Sequence, residues 1–177
     1  MQRKKQILVI GYNGDSCTKN AYDIAYRVGK EIAKRELVLI TGGLGGVMEA
    51  ASKGAHENNG MAIGIILFED FADANKYCNI VICTGIGFAR DFITAYSADG
   101  VIIVGGGIGT LMEAGAAYMK KKPIVAMLGS GGAADKYAGQ YLDERKRVKI
   151  LTAKTPKEAV DIILKSIASY CAKFKRV

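Results

Sequence analysis

Histidine occurs once in this chain, and the four cysteines, Cys17, Cys78, Cys83 and Cys171, form neither a CxxC pair nor a zinc-like spacing. A metal centre is therefore not expected, no cofactor is required, and the thiols read as reduced side chains of a cytoplasmic protein. No apolar stretch approaches the roughly 20 residues of a membrane-spanning helix, so no membrane partner is expected. The basic start MQRKKQILVIGY carries only the short apolar run Ile7 to Ile10 before a glycine, less than a secretion signal needs. No Gly-Lys-Ser/Thr follows any glycine cluster, which excludes a P-loop. The first turn, Gly11-Tyr12-Asn13-Gly14, lacks the G-x-G-x-x-G spacing of dinucleotide-binding folds, which disfavours oxidoreductase chemistry.

Proline is almost as scarce, with 2 residues against 22 glycines. The glycines cluster at the ends of apolar runs, which makes them loop chemistry and not low complexity. A chain of 177 residues suits one domain with a single core, taken here as 1–177. The formal net charge of +8 raises the question of nucleic acid. The basic residues fall at the termini (Arg3, Lys4, Lys5, Lys173, Lys175, Arg176), at Lys120 to Lys122 and at Arg145 to Lys149. No aromatic residues are interleaved for base stacking, so solvated helix ends and tails are the reading and no nucleic acid is expected. The charge can still attract a phosphorylated small molecule.

Apolar runs alternate with helical periodicity along the chain. Strands are expected at Gln6 to Tyr12, Leu37 to Ile40, Met61 to Leu67, Asn79 to Cys83, Val101 to Val104, Ile124 to Leu128 and, shortest, Val148 to Leu151. Helices are expected from Thr18 to Arg35, Val47 to Asn59, Gly87 to Ser97, the turn after Val104 to Lys120, after Gly129-Ser130-Gly131-Gly132, and from Pro156 to Phe174 with Thr155 as cap. Strands apolar on both faces, separated by amphipathic helices, imply an α/β protein: a Rossmann-like doubly wound parallel sheet with helices on both faces. Four glycine-rich turns follow strand C-termini, where such sheets bind ligands, and should line one crevice.

The stretch Gly100 to Glu113, GVIIVGGGIGTLME, is a strand, a glycine turn and a helix start. Glycines bring backbone N–H groups close to a ligand, and the helix N-terminus beyond them favours an anion. The turn Gly105 to Thr110 could also be tight strand–helix packing. Glu113 could face a ligand or complement the helix dipole. Arg90, alone, would pass for a surface arginine.

The blocks Thr41-Gly42-Gly43-Leu44-Gly45-Gly46-Val47-Met48-Glu49-Ala50, Arg90 in a helix, and Gly106-Gly107-Ile108-Gly109-Thr110-Leu111-Met112-Glu113 together resemble the LOG family, from the first strand to about Val125. Members of that family were long labelled lysine decarboxylases, and characterised ones are cytokinin riboside 5'-monophosphate phosphoribohydrolases. The resemblance implies that Arg90 and Glu113 occupy catalytic positions. Gly106, Gly107, Gly109 and Thr110 would hold the phosphate, and Gly42, Gly43, Gly45 and Gly46 would help enclose the nucleotide. It also implies a homodimer or higher oligomer, with Phe92, Tyr96, Met112, Ala116, Ala117 and Tyr118 as interface residues that core packing would explain equally well. Two departures stand out: Gly105 replaces the proline of the family's P-G-G-x-G-T-x-x-E pattern, and Asp91 follows Arg90 where lysine is usual. Both are similar to a branch related to the molybdenum cofactor carrier protein, which also has a later Gly-rich loop like Gly129 to Gly132.

Hydrolysis of the bond between a base and ribose 5-phosphate passes through an oxocarbenium-like state that a carboxylate stabilises while positioning water. Glu113 would serve, with the Thr110 hydroxyl and the helix N-terminus on the phosphate and Arg90 on the phosphate or leaving group. The leading expectation is thus a nucleoside 5'-monophosphate phosphoribohydrolase releasing free base and ribose 5-phosphate. The alternative is a non-catalytic binding or carrier protein for a phosphorylated nucleotide or pterin. Lysine decarboxylation is set aside, because Lys53 and Lys120 to Lys122 lie along helices away from strand ends, where no Schiff base would form.

Overall fold

The computed structural model describes residues 3–174, with side chains to residue 169. The strands β1 (Gln6–Gly11), β2 (Val38–Thr41), β3 (Met61–Ile66), β4 (Ile80–Cys83), β5 (Gly100–Val104), β6 (Ile124–Met127) and β7 (Leu151–Ala153) pair in parallel, in the order β4-β3-β2-β1-β5-β6-β7. The helices are α1 (Lys19–Lys34), α2 (Val47–His56), α3 (Arg90–Ser97), α4 (Ile108–Met119), α5 (Gly132–Tyr137) and α6 (Pro156–Phe174). One face of the sheet is covered by α1, α2 and α6 and the other by α3, α4 and α5, each over its own apolar layer. This is the Rossmann-like α/β architecture.

Local chemistry explains the elements. The central strands β2, β5 and β6 are buried at every position, as continuous aliphatic runs in a parallel sheet require. In α1 the Thr18 hydroxyl accepts the Ala21 N–H at 3.1 Å, and Ala21, Ile24, Ala25, Val28 and Ile32 bury one stripe. That stripe meets α2 at very short range: a Cβ on Gly29 would lie 2.0 Å from the Ala51 carbonyl, and one on Gly54 1.9 Å from that of Tyr26. At the start of α6 the Thr155 hydroxyl accepts the Glu158 N–H at 3.2 Å while the Glu158 carboxylate accepts the Lys154 N–H at 2.8 Å, a reciprocal cap close to a capping box.

Three expectations need correction. β4 is not apolar-buried on both faces: it is the sheet edge, Ile80 and Ile82 are 45% and 44% exposed, and the β3–β4 connection offers only the single turn Phe71–Asp73 as cover. The last strand is Leu151–Ala153 and not Val148 to Leu151. The preceding residues pair instead with the loop before them, Gly139 N–H to the Ile150 carbonyl at 2.9 Å and Ile150 N–H to that of Gln140 at 2.8 Å, with Lys149 bridged to Tyr141. The helix expected to reach Asn59 stops at His56, where Gly60 N–H bonds the Ala55 carbonyl and Asn59 turns to φ 56°. The side chains of Cys171 and Lys173, and Lys175 and Arg176 altogether, lie outside the described residues.

Successive strands build outward from β1 to β4, and α3 then carries the chain back to the other side of β1. The strand order reverses between β1 and β5. Parallel sheets open a crevice at such a point, beyond the strand C-termini. Gly11 ends β1 and Val104 ends β5, side by side in register.

Candidate functional site

A cleft of about 690 Å³ opens at this reversal. It is lined by Gly11, Tyr12, Asn13 and Ser16 after β1, Leu44 and Met48 after β2, Leu67, Phe68 and Phe88 around β3 and the start of α3, and Arg90, Asp91, Gly107, Ile108, Gly109, Thr110 and Glu113. The size suits a small heterocyclic ligand. Its polar groups gather at two places. One is the start of α4, where the first intrahelical bond runs from Leu111 N–H to the Gly107 carbonyl, so the amides of Ile108, Gly109 and Thr110 precede it and face outward along the helix axis. Those amides and the helix dipole make an anion position.

The other is a buried cluster where α3 and α4 cross. Arg90, Asp91 and Glu113 are all nine-tenths or more buried. Arg90 Nη1 lies 3.5 Å from Asp91 Oδ1 and 3.7 Å from Glu113 Oε1, and the Thr94 hydroxyl donates to Glu113 Oε1 at 2.9 Å. Thr94 also reaches the Asp91 carbonyl at 2.9 Å. No donor–acceptor pair in this cluster involves the Arg90 guanidinium at hydrogen-bond geometry, and its Nε is buried without a partner. Burial, with the negative Asp91 beside it, pushes the Glu113 carboxyl up to about 7, against the smaller opposing effects of Arg90 and Thr94. Burial also raises the Asp91 carboxyl above its ordinary value, with Arg90 opposing. Glu113 can therefore hold or release a proton near neutral pH.

The glycines divide into those that face the cleft and those that shape it. Gly107 and Gly109 line it, and a Cβ on either would meet nothing within 4 Å. Gly106, expected on the phosphate, and Gly42, Gly43, Gly45 and Gly46, expected to help enclose the nucleotide, are not among the residues lining the cleft. Gly42 gives Arg90 its place: a Cβ there would stand 2.5 Å from Nη1. Gly46, at φ 69°, turns against the backbone of Asn13 at a separation no Cβ would allow, and leaves Leu44 and Met48 as the walls. Gly106 lies under Thr110. The Thr110 hydroxyl, expected on the phosphate, donates its proton to the Gly11 carbonyl at 3.0 Å and ties α4 to β1.

The fourth glycine turn, Gly129 to Gly132, does not line the crevice either. Its amides are already used: Asp135 accepts from Gly129 at 2.7 Å and from Gly131 at 2.9 Å. Ser130 Oγ accepts the Gly105 N–H at 2.8 Å and donates to the Met127 carbonyl at 2.6 Å, and Asn20 donates to the Gly129 carbonyl at 2.7 Å. The turn braces the phosphate-sized loop from behind. Of the residues singled out as an interface, Ala116, Ala117 and Tyr118 are buried in the chain's own core, whereas Phe92, Tyr96 and Met112 are exposed, as are Phe88, Ile93, Ile108 and Met119 on the same two helices or just before α3.

This arrangement has relatives. A model of the SLOG cluster4 family matches residues 4–160. The chain belongs to the SLOG cluster4 family. An uncharacterized protein of Archaeoglobus fulgidus is 44% identical over 127 residues, 69% of this chain and 79% of that protein. The structure of the molybdenum cofactor binding protein of Rippkaea orientalis is similar with a TM-score of 0.83 and 31% identity, over 93% of this chain and 98% of that one. The molybdenum cofactor carrier protein of Chlamydomonas reinhardtii gives 0.81 and 34%, over 93% and 99%. This SLOG cluster4 chain thus stands close to carrier proteins in both sequence and fold. The LOG resemblance identifies the right kind of fold, whereas the decarboxylase label and the cytokinin-type hydrolysis gain nothing from these relatives. Among the described residues no group of three or more His, Cys, Asp or Glu could hold a metal, and no helix is long and apolar enough to cross a membrane.

Sequence reasoning singled out Arg90, Glu113, Gly107, Gly109 and Thr110, and the cleft contains all five. It noted Asp91 only as a departure from a pattern. The signal for its role was the adjacent Arg90, because two neighbouring charges at a helix start can be buried only together. Tyr12, Leu44, Met48, Phe68, Phe88 and Ile108 carried no polar signal and become walls through topology alone.

Proposed function

We propose that this protein binds a phosphorylated pterin or nucleotide and acts as a carrier, with the phosphate on the first turn of α4 and the ring between the apolar walls above Arg90 and Asp91. The observation that carries this reading is the unmet polarity of the buried cluster. Arg90, at the floor of an open cleft, has an unpartnered Nε and an Nη1 held only by ion pairs of 3.5 and 3.7 Å, so its guanidinium retains donor capacity for a bound ligand. The similarity to two molybdenum cofactor proteins over more than nine-tenths of the chain supports the same class of ligand. Phe88, Ile108, Leu44, Met48 and Phe68 suit a flat heterocycle better than a polyol. Calorimetry and native mass spectrometry with pterins and nucleoside monophosphates test the proposal. Binding without turnover is expected, and absence of binding by both classes refutes it.

Hydrolysis of a nucleoside 5'-monophosphate is the second reading, favoured by one observation: a Glu113 carboxyl that titrates near neutrality, as a general acid or base must. Against it, the Thr94 hydroxyl and Arg90 already engage Oε1. Release of free base from any of a panel of nucleoside monophosphates, lost in Glu113→Ala, would overturn the carrier reading in favour of this one. For either ligand we place the protein in the cytoplasm as at least a homodimer, joined through the exposed apolar side chains of α3 and α4.

A further inference from the structure

Asp91 is a carboxylate with almost no company. It is 5% exposed, it lines the cleft, and among the described residues no hydrogen-bond donor reaches its side chain; its one ionic neighbour is Arg90 Nη1 at 3.5 Å. Arg90 is the complement: a guanidinium nine-tenths buried whose Nη1 reaches Asp91 and Glu113 only at 3.5 and 3.7 Å, with Nε unpartnered. A carboxylate without a hydrogen-bond donor and a guanidinium held only by long ion pairs, side by side and facing one cleft, both keep hydrogen-bonding capacity for a ligand. A ligand that presents an acceptor next to a donor satisfies both at once.

From this juxtaposition we infer that the Arg90–Asp91 pair reads the lactam edge of a 2-amino-4-oxopyrimidine ring, the edge that pterins and guanine share. The ring carbonyl accepts from the Arg90 guanidinium. The adjacent ring N–H and the exocyclic amino group donate to the Asp91 carboxylate, whose two oxygens match two parallel donors. Adenine turns an amino group toward Arg90 and an unprotonated ring nitrogen toward Asp91, and is rejected at both. A 2,4-dioxo ring keeps the carbonyl and the N–H but turns a second carbonyl toward a carboxylate. Selectivity of this kind, in which the wrong ligand leaves a buried charge unpaired, is stronger than a difference in shape supplies. The inference rests on the carrier reading and sharpens it from a phosphorylated ligand to one class of ring.

The test is a pair of titrations on the intact protein near neutral pH, pterin against lumazine, which differ at position 2 of the ring only. The chain contains no tryptophan, so ligand fluorescence can be followed without interference from indole emission. Pterin is expected to bind about 10- to 100-fold more tightly than lumazine, the range for a hydrogen bond to a charged group. GMP should exceed IMP by about 10-fold, and exceed AMP by more. Asp91→Asn, which keeps the shape and loses the carboxylate, should bring pterin and lumazine within a few-fold of each other. Equal binding of pterin and lumazine by the wild type overturns the edge-reading and leaves the carrier reading intact. Failure to bind any pterin or nucleotide overturns both. The wild-type comparison needs no variant, so a misfolded Asp91→Asn does not remove the test.

Discussion

Replacing Glu113 with glutamine should flatten the dependence of stability on pH. The carboxyl of Glu113 sits at about 7 in the folded chain against an ordinary 4.5, chiefly because burial disfavours its charged form. The folded state therefore holds that proton more tightly than the unfolded state. Its contribution is fully present below about pH 4.5 and is lost as pH rises through 7, where the charged group must be buried. The difference of about 2.5 pH units corresponds to about 3 kcal/mol. Glutamine is the right replacement because its oxygen can still accept the Thr94 hydroxyl bond, so shape and hydrogen bonding survive while the titration is removed. Urea denaturation from pH 5 to 8.5 would show wild-type stability falling relative to Glu113→Gln by about 2–3 kcal/mol, mostly below pH 7. Asp91, raised in the same direction, remains in the variant and gives both curves a shared slope at the acid end. Parallel curves over the whole range would refute the argument and mean that Arg90 compensates the charge fully.

Other changes test the scaffold of the site. Gly42→Ala places a Cβ 2.5 Å from Arg90 Nη1 and 2.7 Å from Met48 Sδ, both ends of flexible side chains, so stability should fall by only about 1–2 kcal/mol while ligand affinity falls about 10-fold by calorimetry. Ser130→Ala strands the buried Gly105 N–H and should cost about 1–3 kcal/mol in urea denaturation, with the cleft loosened from behind. Light scattering should give a dimer or larger species, and Phe92→Glu, at the half-exposed edge-to-face contact with Tyr96, should shift it toward monomer without loss of helical circular dichroism.

The sheet was legible because its strands are uninterrupted aliphatic runs and its helices have clear caps, such as Thr18 and Thr155. What could not be read was the difference between an edge and a centre. Ile80 to Cys83 is as aliphatic as its neighbours, and only the absence of a helix between β3 and β4 leaves it half exposed. At the site, residue type announced the polar members, since glycines after strands and a helix-start carboxylate have few other uses. The same logic overreached with the Gly129 turn. Its amides are indistinguishable in sequence from a phosphate loop, and the group that occupies them, Asp135, sits only a few residues further along the same chain. The proton of Thr110 goes to Gly11 across the strand reversal, a partner 99 residues away. Long-range partners of this kind are what a local pattern cannot supply.

The two halves of the cleft are electrostatically opposed, and this gives the carrier reading its sharpest consequence. The start of α4 favours an anion, while Asp91 and a deprotonated Glu113 repel one, and Arg90 offsets only one of the two carboxylates. A phosphate on the first turn of α4 lies roughly 8 Å along the helix from the Glu113 carboxyl, which at an effective dielectric of about 20 corresponds to about 2 kcal/mol of repulsion once that carboxyl ionises. Affinity for GMP should therefore be greatest below pH 7 and fall by up to about 30-fold as pH passes through 7 and beyond, with the phosphate's own second ionisation, near pH 6, acting at lower pH and in the opposite sense. In Glu113→Gln the decline above pH 7 should vanish. A hydrolase behaves otherwise, because a carboxylate that stabilises an oxocarbenium ion must be charged, and turnover would rise through the same range in which binding weakens. Calorimetric titration at several pH values, paired with an assay for free base, thus separates the two readings by the sign of a single slope. Affinity that is level across pH 6 to 8.5 in the wild type would refute the coupling and place the phosphate away from α4.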